Sequence, residues 1–200
     1  VYVRVNGTVV GNTTSDGGGG WSYTFDGVDD LIEGTNIIDA YAEDGSGNVS
    51  GYSADLIVTL DTSVDTPGIP DLITASDSGS SSSDNYTNVS NATISGVCEA
   101  GATIIVSLNG NDTFGTVTDG DSDGQWSYVF AAGLVGSATG NDNVVKVAQD
   151  DVAGNVSGYG GVLTITLDNA AQTPLGTDLL AEYDTGDANN DDTTNTPNIA

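Results

Sequence analysis

Apolar residues in this chain fall in short runs separated by Gly, Asn and Asp. Between positions 71 and 168 the runs DLITA, ATISGVCE, TIIVSLNG, FGTVTD, QWSYVF, NVVKVAQD and VLTITLD follow one another. QWSYVF and VLTITL alternate apolar and polar positions, the period of a half-buried strand. Turn-forming residues bound each run. No segment carries the 3.6-residue period of an amphipathic helix. Seven antiparallel strands are therefore expected in residues 62–168. Trp126 and Phe130 share one face of their strand, and that face is read as core.

The pattern also repeats. LIVTLD at 56–61 returns as LTITLD at 163–168, and GNVSGY at 47–52 returns unchanged at 154–159, both 107 residues on. Asn36, Ile37 and Ile38 match Asn143, Val144 and Val145 at the same offset. PDLITASDSGSSSSDN (70–85) runs without a gap onto TDLLAEYDTGDANNDD (177–192), while WSYTF (21–25) meets WSYVF (126–130) at 105. The chain thus reads as an incomplete repeat at 1–61, a complete one at 62–168 and the first part of a third at 169–200. Seven strands in about 107 residues imply an all-β fold of tandem immunoglobulin-like Greek-key β-sandwich domains. The stretch SGSSSS lies inside the repeat and reads as a loop rather than a linker. A chain that starts at Val1 without Met reads as a fragment or a processed product.

Charge narrows the function. Of 200 residues, 29 are Asp or Glu and two are basic, Arg4 and Lys146, so the net charge is −27. Such a surface repels nucleic acid and anionic membranes. It attracts divalent cations, and it also serves solubility. No run is long enough to cross a membrane. There is no His to act as a general base, and the acidic residues cluster in polar loops, which argues against an enzyme. Cys98 is the only cysteine, so there is no intrachain disulfide. Metal ions can take the place of disulfides as staples in an extracellular chain.

Calcium takes six to eight oxygen ligands. Asp119-Gly-Asp121-Ser-Asp123-Gly124 presents carboxylates at alternate positions, like the first half of an EF-hand loop. Position twelve is Phe130, so the closing Glu is missing and an EF-hand is rejected. A solvated acidic hairpin is the competing reading. In the first repeat only Asp16 survives here. A second candidate is the loop between the last two strands, with Glu43, Asp44 and Asn48 in one repeat and Asp150, Asp151 and Asn155 in the next. The third is the linker, with Asp61 and Asp65, then Asp168. The fourth follows the first strand, with Asp77 and Asp84, echoed by Asp184 and Asp191. Counting strands alternately up and down puts Asp119–Asp123 and Asp150–Asn155 at the pole where a domain begins. Asp77 and Asp84 fall at the pole where it ends. A cation between such poles would turn repulsion into a clamp, with Asp61 as a ligand. All these residues are also ordinary turn formers.

EAGATIIVSLNG, DGDSDGQWSY, DDVAGNVSG and a closing TLD before a Pro-containing linker resemble the bacterial Ig-like repeats of giant surface adhesins and biofilm proteins. SDSGSSSSDN resembles the loop after the first strand of those repeats. The resemblance implies secretion to the cell surface, Ca²⁺ binding, neighbouring repeats as partners and a stalk role. Two other readings stay open. One is a filament subunit, a homopolymer in which residues 169–200 of one molecule complete residues 1–61 of the next by strand donation. The other is a glycan-binding module using Tyr52, Tyr86 and Tyr159.

Overall fold

The computed structural model describes residues 1–25 and 31–172. Among these residues there is no helix. The strands are β1 (Tyr2–Val5), β2 (Thr8–Asn12), β3 (Gly34–Tyr41), β4 (Leu56–Leu60), β5 (Asp71–Leu72), β6 (Tyr86–Thr87), β7 (Thr93–Val97), β8 (Thr103–Leu108), β9 (Asn111–Thr118), β10 (Gln125–Val129), β11 (Asn141–Asp150) and β12 (Leu163–Leu167). The sheets run in the orders β2-β1-β3-β4, β10-β7-β5 and β6-β12-β11-β8-β9. This is the all-β, immunoglobulin-like architecture that the spacing of apolar runs implies.

Each of the seven runs contributes a strand, with two corrections. DLITA keeps only β5, because the chain turns at Ile73, whose carbonyl accepts the Ser76 and Asp77 amides at 2.7 and 2.9 Å. An eighth strand, β6, pairs in parallel with β12, Tyr86 opposite Thr166 and Thr87 opposite Leu167. Two residues are too few to show an alternation, so the pattern of hydrophobic positions carries no sign of it.

The chain divides into two compact units. The first comprises Val1–Pro70, Ser95–Tyr128 and Lys146–Val162. Its four-stranded sheet buries Val3, Val5 and Ile38, against which Val10, Tyr23, Phe25, Leu31 and Val58 pack. On the other side of the pleat Arg4 faces Asp39, and the guanidinium donates to both carboxylate oxygens at 2.7 and 2.6 Å. β1 and β2 are joined by Asn6-Gly7 with φ of 51° and 82°, and β8 and β9 by Asn109-Gly110 with 52° and 83°. These are type I′ hairpin turns, whose left-handed backbone suits Asn and Gly. Ile104, Val106 and Leu108 of β8 are buried. Trp126 is 5% exposed and its Nε1 donates to the Val97 carbonyl at 3.3 Å. A Cβ on Gly96 would sit 2.8 Å from Cζ2 of that indole, so the ring can lie on β7 only where the strand has no side chain.

The segment after β4 is held within the same unit. Thr62 donates through its amide and hydroxyl to the Glu33 carboxylate, each at 2.9 Å. Gln149, 1% exposed, donates to the Asp65 carbonyl at 2.7 Å and accepts the Glu99 amide at 3.0 Å. Glu99 in turn accepts the Asp65 amide at 2.6 Å.

The second unit comprises, among the described residues, Asp71–Ile94, Val129–Val145 and 163–172. Ile94, Phe130, Val145, Ile165 and Leu167 are fully buried there. Asn143 is buried among them. It accepts the Val135 amide at 2.8 Å and donates to the carbonyls of Val135 and Ile165 at 3.0 and 3.3 Å. A buried amide is tolerated because its hydrogen-bonding capacity is met by backbone. Residues 173–200, with Asp184, Asp191 and most of the expected third repeat, lie outside the described residues.

Candidate metal centre

The hairpin between β9 and β10 gathers three carboxylates. Asp119, Asp121 and Asp123 can each offer an oxygen so that all lie within 4.8 Å of one another. The backbone explains how. Asp119 anchors the start of the loop, with its amide on the Ala102 carbonyl at 2.9 Å. Ser122 takes a left-handed φ of 57° and folds the chain back toward Asp119. The Asp119 side chain is 3% exposed. Its Oδ2 accepts the amides of Gly101 and Gly124 at 3.0 and 2.9 Å. Its Oδ1 is buried with no hydrogen-bond partner. The Gly101 amide, followed by that of Gly124, holds the Asp119 carboxyl below the usual carboxylate range despite the opposing effect of burial. Asp119 is therefore an anion at neutral pH. Asp121 and Asp123 are exposed, and Asp123 accepts the Gln125 amide at 2.8 Å.

The donor set is oxygen only, and no Cys or His joins it. Hard cations such as Ca²⁺ prefer such ligands, and zinc does not. A buried, unpartnered carboxylate oxygen beside two more carboxylates fits a divalent cation, because a buried charge is stable only when it is compensated.

The other candidates are placed differently. Asp44 and Asp151 occupy twin turns. In each, one carboxylate oxygen accepts two amides, those of Ser46 and Asn48 or of Ala153 and Asn155, at 2.8 and 2.9 Å. The second oxygen accepts the Asn48 or Asn155 side chain at 2.8 Å. These side-chain amides lead in holding both carboxyls below their ordinary range. Asp150 ends β11 and bridges to Val156. Asn155 also donates to the Asp61 carbonyl at 3.1 Å, while the Asp61 carboxylate accepts the Ser63 amide at 3.3 Å. In the second unit, Asp77 Oδ2 accepts the Asn85 amide at 3.3 Å, and its Oδ1 is buried without a partner. Asp84 and Asp168 line a cavity beside Ser78, Tyr86 and Thr87. Among the described residues only Asp119, Asp121 and Asp123 bring three such ligands within that distance. Asp61, Asp150 and Asp151 do not join them.

Sequence reasoning missed Gln149, Glu99 and Asn85. For Gln149 the signal was present. Asn143, Val145, Val147 and Gln149 fall on one side of β11, so the apolar register itself places two amides inward. For Asn85 there was none, since a polar loop carries no register.

Three comparisons bear on kinship. A family profile described as a bacterial Ig-like domain matches residues 63–169. No curated protein matches the chain. Among solved structures, the chain is similar to the BSP domain of a biofilm-associated protein, at 18% identity and a TM-score of 0.36 over 86% of this chain and 25% of that one. It is also similar to a Ca²⁺-stabilized adhesin of an ice-binding Antarctic bacterium, at 23% identity and a TM-score of 0.39 over 88% of this chain and 41% of that one. A 1.5-MDa bacterial ice-binding adhesin gives 22% identity and a TM-score of 0.39, over 86% of this chain and 52% of that one. The chain thus spans from a quarter to about half the length of these structures.

Proposed function

From the premise that the chain belongs to the bacterial Ig-like domain family, we propose that it is a stretch of extracellular stalk, built of tandem repeats at 1–61, 62–168 and 169–200 and stiffened by Ca²⁺. The buried, unpartnered Oδ1 of Asp119 beside the carboxylates of Asp121 and Asp123 carries this reading. Bound there, the cation would cancel two of the hairpin's charges and tie Asp119, Asp121 and Asp123 together. The repeats act on one another and need no catalytic group. The acidity suits an exposed cell-surface chain, which repels its neighbours and stays extended.

The segment that follows β4 supports a spacer role. Its backbone is held at Asp61, Thr62 and Asp65 by Asn155, Glu33, Glu99 and Gln149. Calorimetric titration of the full chain with CaCl₂ tests the proposal. Calcium binding in the wild type, with one site lost in Asp119→Asn and Asp121→Asn, is the expected result. An unchanged isotherm in both variants would sink it.

Trp21 favours a second reading. It is 46% exposed where its counterpart Trp126 is 5% exposed, so the first repeat offers an aromatic that a strand from another molecule could cover. Concentration-dependent polymers in sedimentation, absent in Trp21→Ser, would establish the filament subunit.

A further inference from the structure

Matched positions of the two repeats part company where the chain meets the segment after β4. At the repeat's own offset, Gln149 answers to Ala42, Gly160 to Ser53 and Gly161 to Ala54. The backbone is the same in both places. The amides of Ala42 and Gln149 donate to the Ser50 and Ser157 hydroxyls at 2.8 and 2.9 Å. The amides of Ser53 and Gly160 donate to the carbonyls of Ala40 and Val147, each at 2.8 Å. Side chains at 160 and 161 would therefore leave the chain as those of Ser53 and Ala54 do. The second repeat has none there, and the linker takes the space. A Cβ on Gly160 would collide with the Pro67 carbonyl, and one on Gly161 would run into Ile69, with Cδ1 at 2.8 Å.

Two polar side chains complete the contact. Gln149 donates to the Asp65 carbonyl at 2.7 Å and to the Glu99 carboxylate at 3.2 Å. The same Glu99 oxygen accepts the Asp65 amide at 2.6 Å. What is gripped at Asp65 is thus its backbone, by both its N–H and its C=O. Two residues on, Pro67 is buried. Proline has no amide hydrogen, so its burial leaves no donor unmet. Among the described residues, the buried side-chain oxygens without a partner belong to Asp77, Asn85 and Asp119. None of them lies here, so nothing in this contact calls for a cation.

We propose that Glu99, Gln149, Gly160 and Gly161 form a seat for the proline-bearing segment 65–69, and that this seat fixes the junction ahead of the second repeat without a metal ion. This goes beyond the calcium reading, which rests on the β9–β10 hairpin and shares no residue with the seat. The seat selects its occupant by close approach and by one peptide unit, not by charge. A chain at −27 needs such a contact, because its acidic segments repel one another. The first repeat, with Ala42, Ser53 and Ala54 in these places, offers no such seat. Repeats of one sequence pattern are therefore not interchangeable along the array.

The test is the heteronuclear ¹⁵N NOE of the Asp65, Thr66, Gly68 and Ile69 amides, measured on the full chain in CaCl₂ and again in EGTA. In the wild type these amides are expected to match those of β11 in both buffers. Gly160→Ala adds one methyl and removes no hydrogen-bonding group. It is expected to drop the linker values to those of a free loop in both buffers, with the Trp126 indole signal unchanged as the mark of an intact fold. The proposal is overturned if EGTA alone frees the wild-type linker, or if the linker of Gly160→Ala stays as rigid as β11. Should Gly160→Ala lose the indole signal, Gln149→Ala, which copies the residue of the first repeat, takes its place with the same criteria. The calcium titration reads the hairpin and this experiment reads the linker, so either proposal can fail alone.

Discussion

The segments 1–61 and 62–168 build sheets of the same strand order but differ around the tryptophan and the acidic hairpin. In both, four strands run in the same order, β2-β1-β3-β4 in one and β9-β8-β11-β12 in the other. Both use an Asn-Gly hairpin, an Asp-centred turn before the last strand and a fully buried Asn, Asn36 or Asn143, that accepts a loop amide at 2.9 or 2.8 Å. They part at the tryptophan and the acidic hairpin. Trp126 lies on Gly96 of β7, whereas the described part of 1–61 has no strand that corresponds to β7. Asp119 is enclosed by Gly101 and Gly124, whereas Asp16 is exposed and accepts the amides of Gly18 and Gly20, each at 2.8 Å, closing only its own loop. What repeats is what the local sequence makes by itself. What differs depends on a residue supplied from elsewhere in the fold. Acidic residues at matched positions are therefore not equivalent: Asp119 is buried with one oxygen unpartnered, and Asp16 is exposed.

The widest gap between the two regions is expected at tryptophan. Trp126→Ala should cost about 3–5 kcal/mol, as large aromatic truncations in a core do. Trp21→Ala, at a half-exposed position, should stay within about 0.5 kcal/mol. Urea unfolding of each variant checks this. Equal losses would mean that Trp21 is covered in solution, which would favour the filament reading.

Calcium should separate the hairpins next. Saturating calcium is expected to raise the melting temperature of the wild type and of Asp16→Asn alike, since mass action supplies about 2.7 kcal/mol when free ligand is a hundred times Kd. Asp119→Asn should lose the share of that rise due to its own site. A loss in Asp16→Asn of the same size would erase the distinction between an exposed loop acid and a buried one.

The buried amides should show the opposite, a likeness. Asn36→Ala and Asn143→Ala each orphan a backbone amide and carbonyls that the side chain now meets. Each is expected to cost about 1–3 kcal/mol, read by thermal unfolding. A clear inequality would show that the shared sheet is less equivalent than its hydrogen bonds suggest.

Much of this was legible in the sequence. Strand positions followed from the apolar runs, because burial on a pleated sheet has a period of two. The hairpin acids stood out by their spacing. The orphaned oxygens of Asp77, Asn85 and Asp119 did not, because an unpaired acceptor is a property of every donor around it and not of its own residue type. β6 was hidden for a similar reason. Its pairing comes from Asn85 and Asp168, whose carbonyl and amide meet β12 and Thr87, and neither residue reads as strand. The linker hydrogen bonds were equally silent, since Gln149 and Glu99 lie far in sequence from the Asp65 backbone they hold.

The smallest expected difference lies within the twin turns. Asn48 and Asn155 both donate to the Asp at the start of their turn, but only Asn155 also reaches the Asp61 carbonyl. Asn155→Ala should therefore exceed Asn48→Ala in cost by one hydrogen bond, about 0.5–1.5 kcal/mol. Acid should act on the two turns alike. The Asn side chains hold the Asp44 and Asp151 carboxyls below their ordinary range. Their folded values thus lie under the unfolded value of about 3.9. The stabilisation is whole above that value and is lost as pH falls through the folded ones. Carboxyl NMR should show both groups titrating below an exposed aspartate, and replacement of the partner Asn by Ala should move each upward. If Asp151 titrates normally while Asp44 does not, the turns are twins in backbone only, and the contact with Asp61 has altered the second.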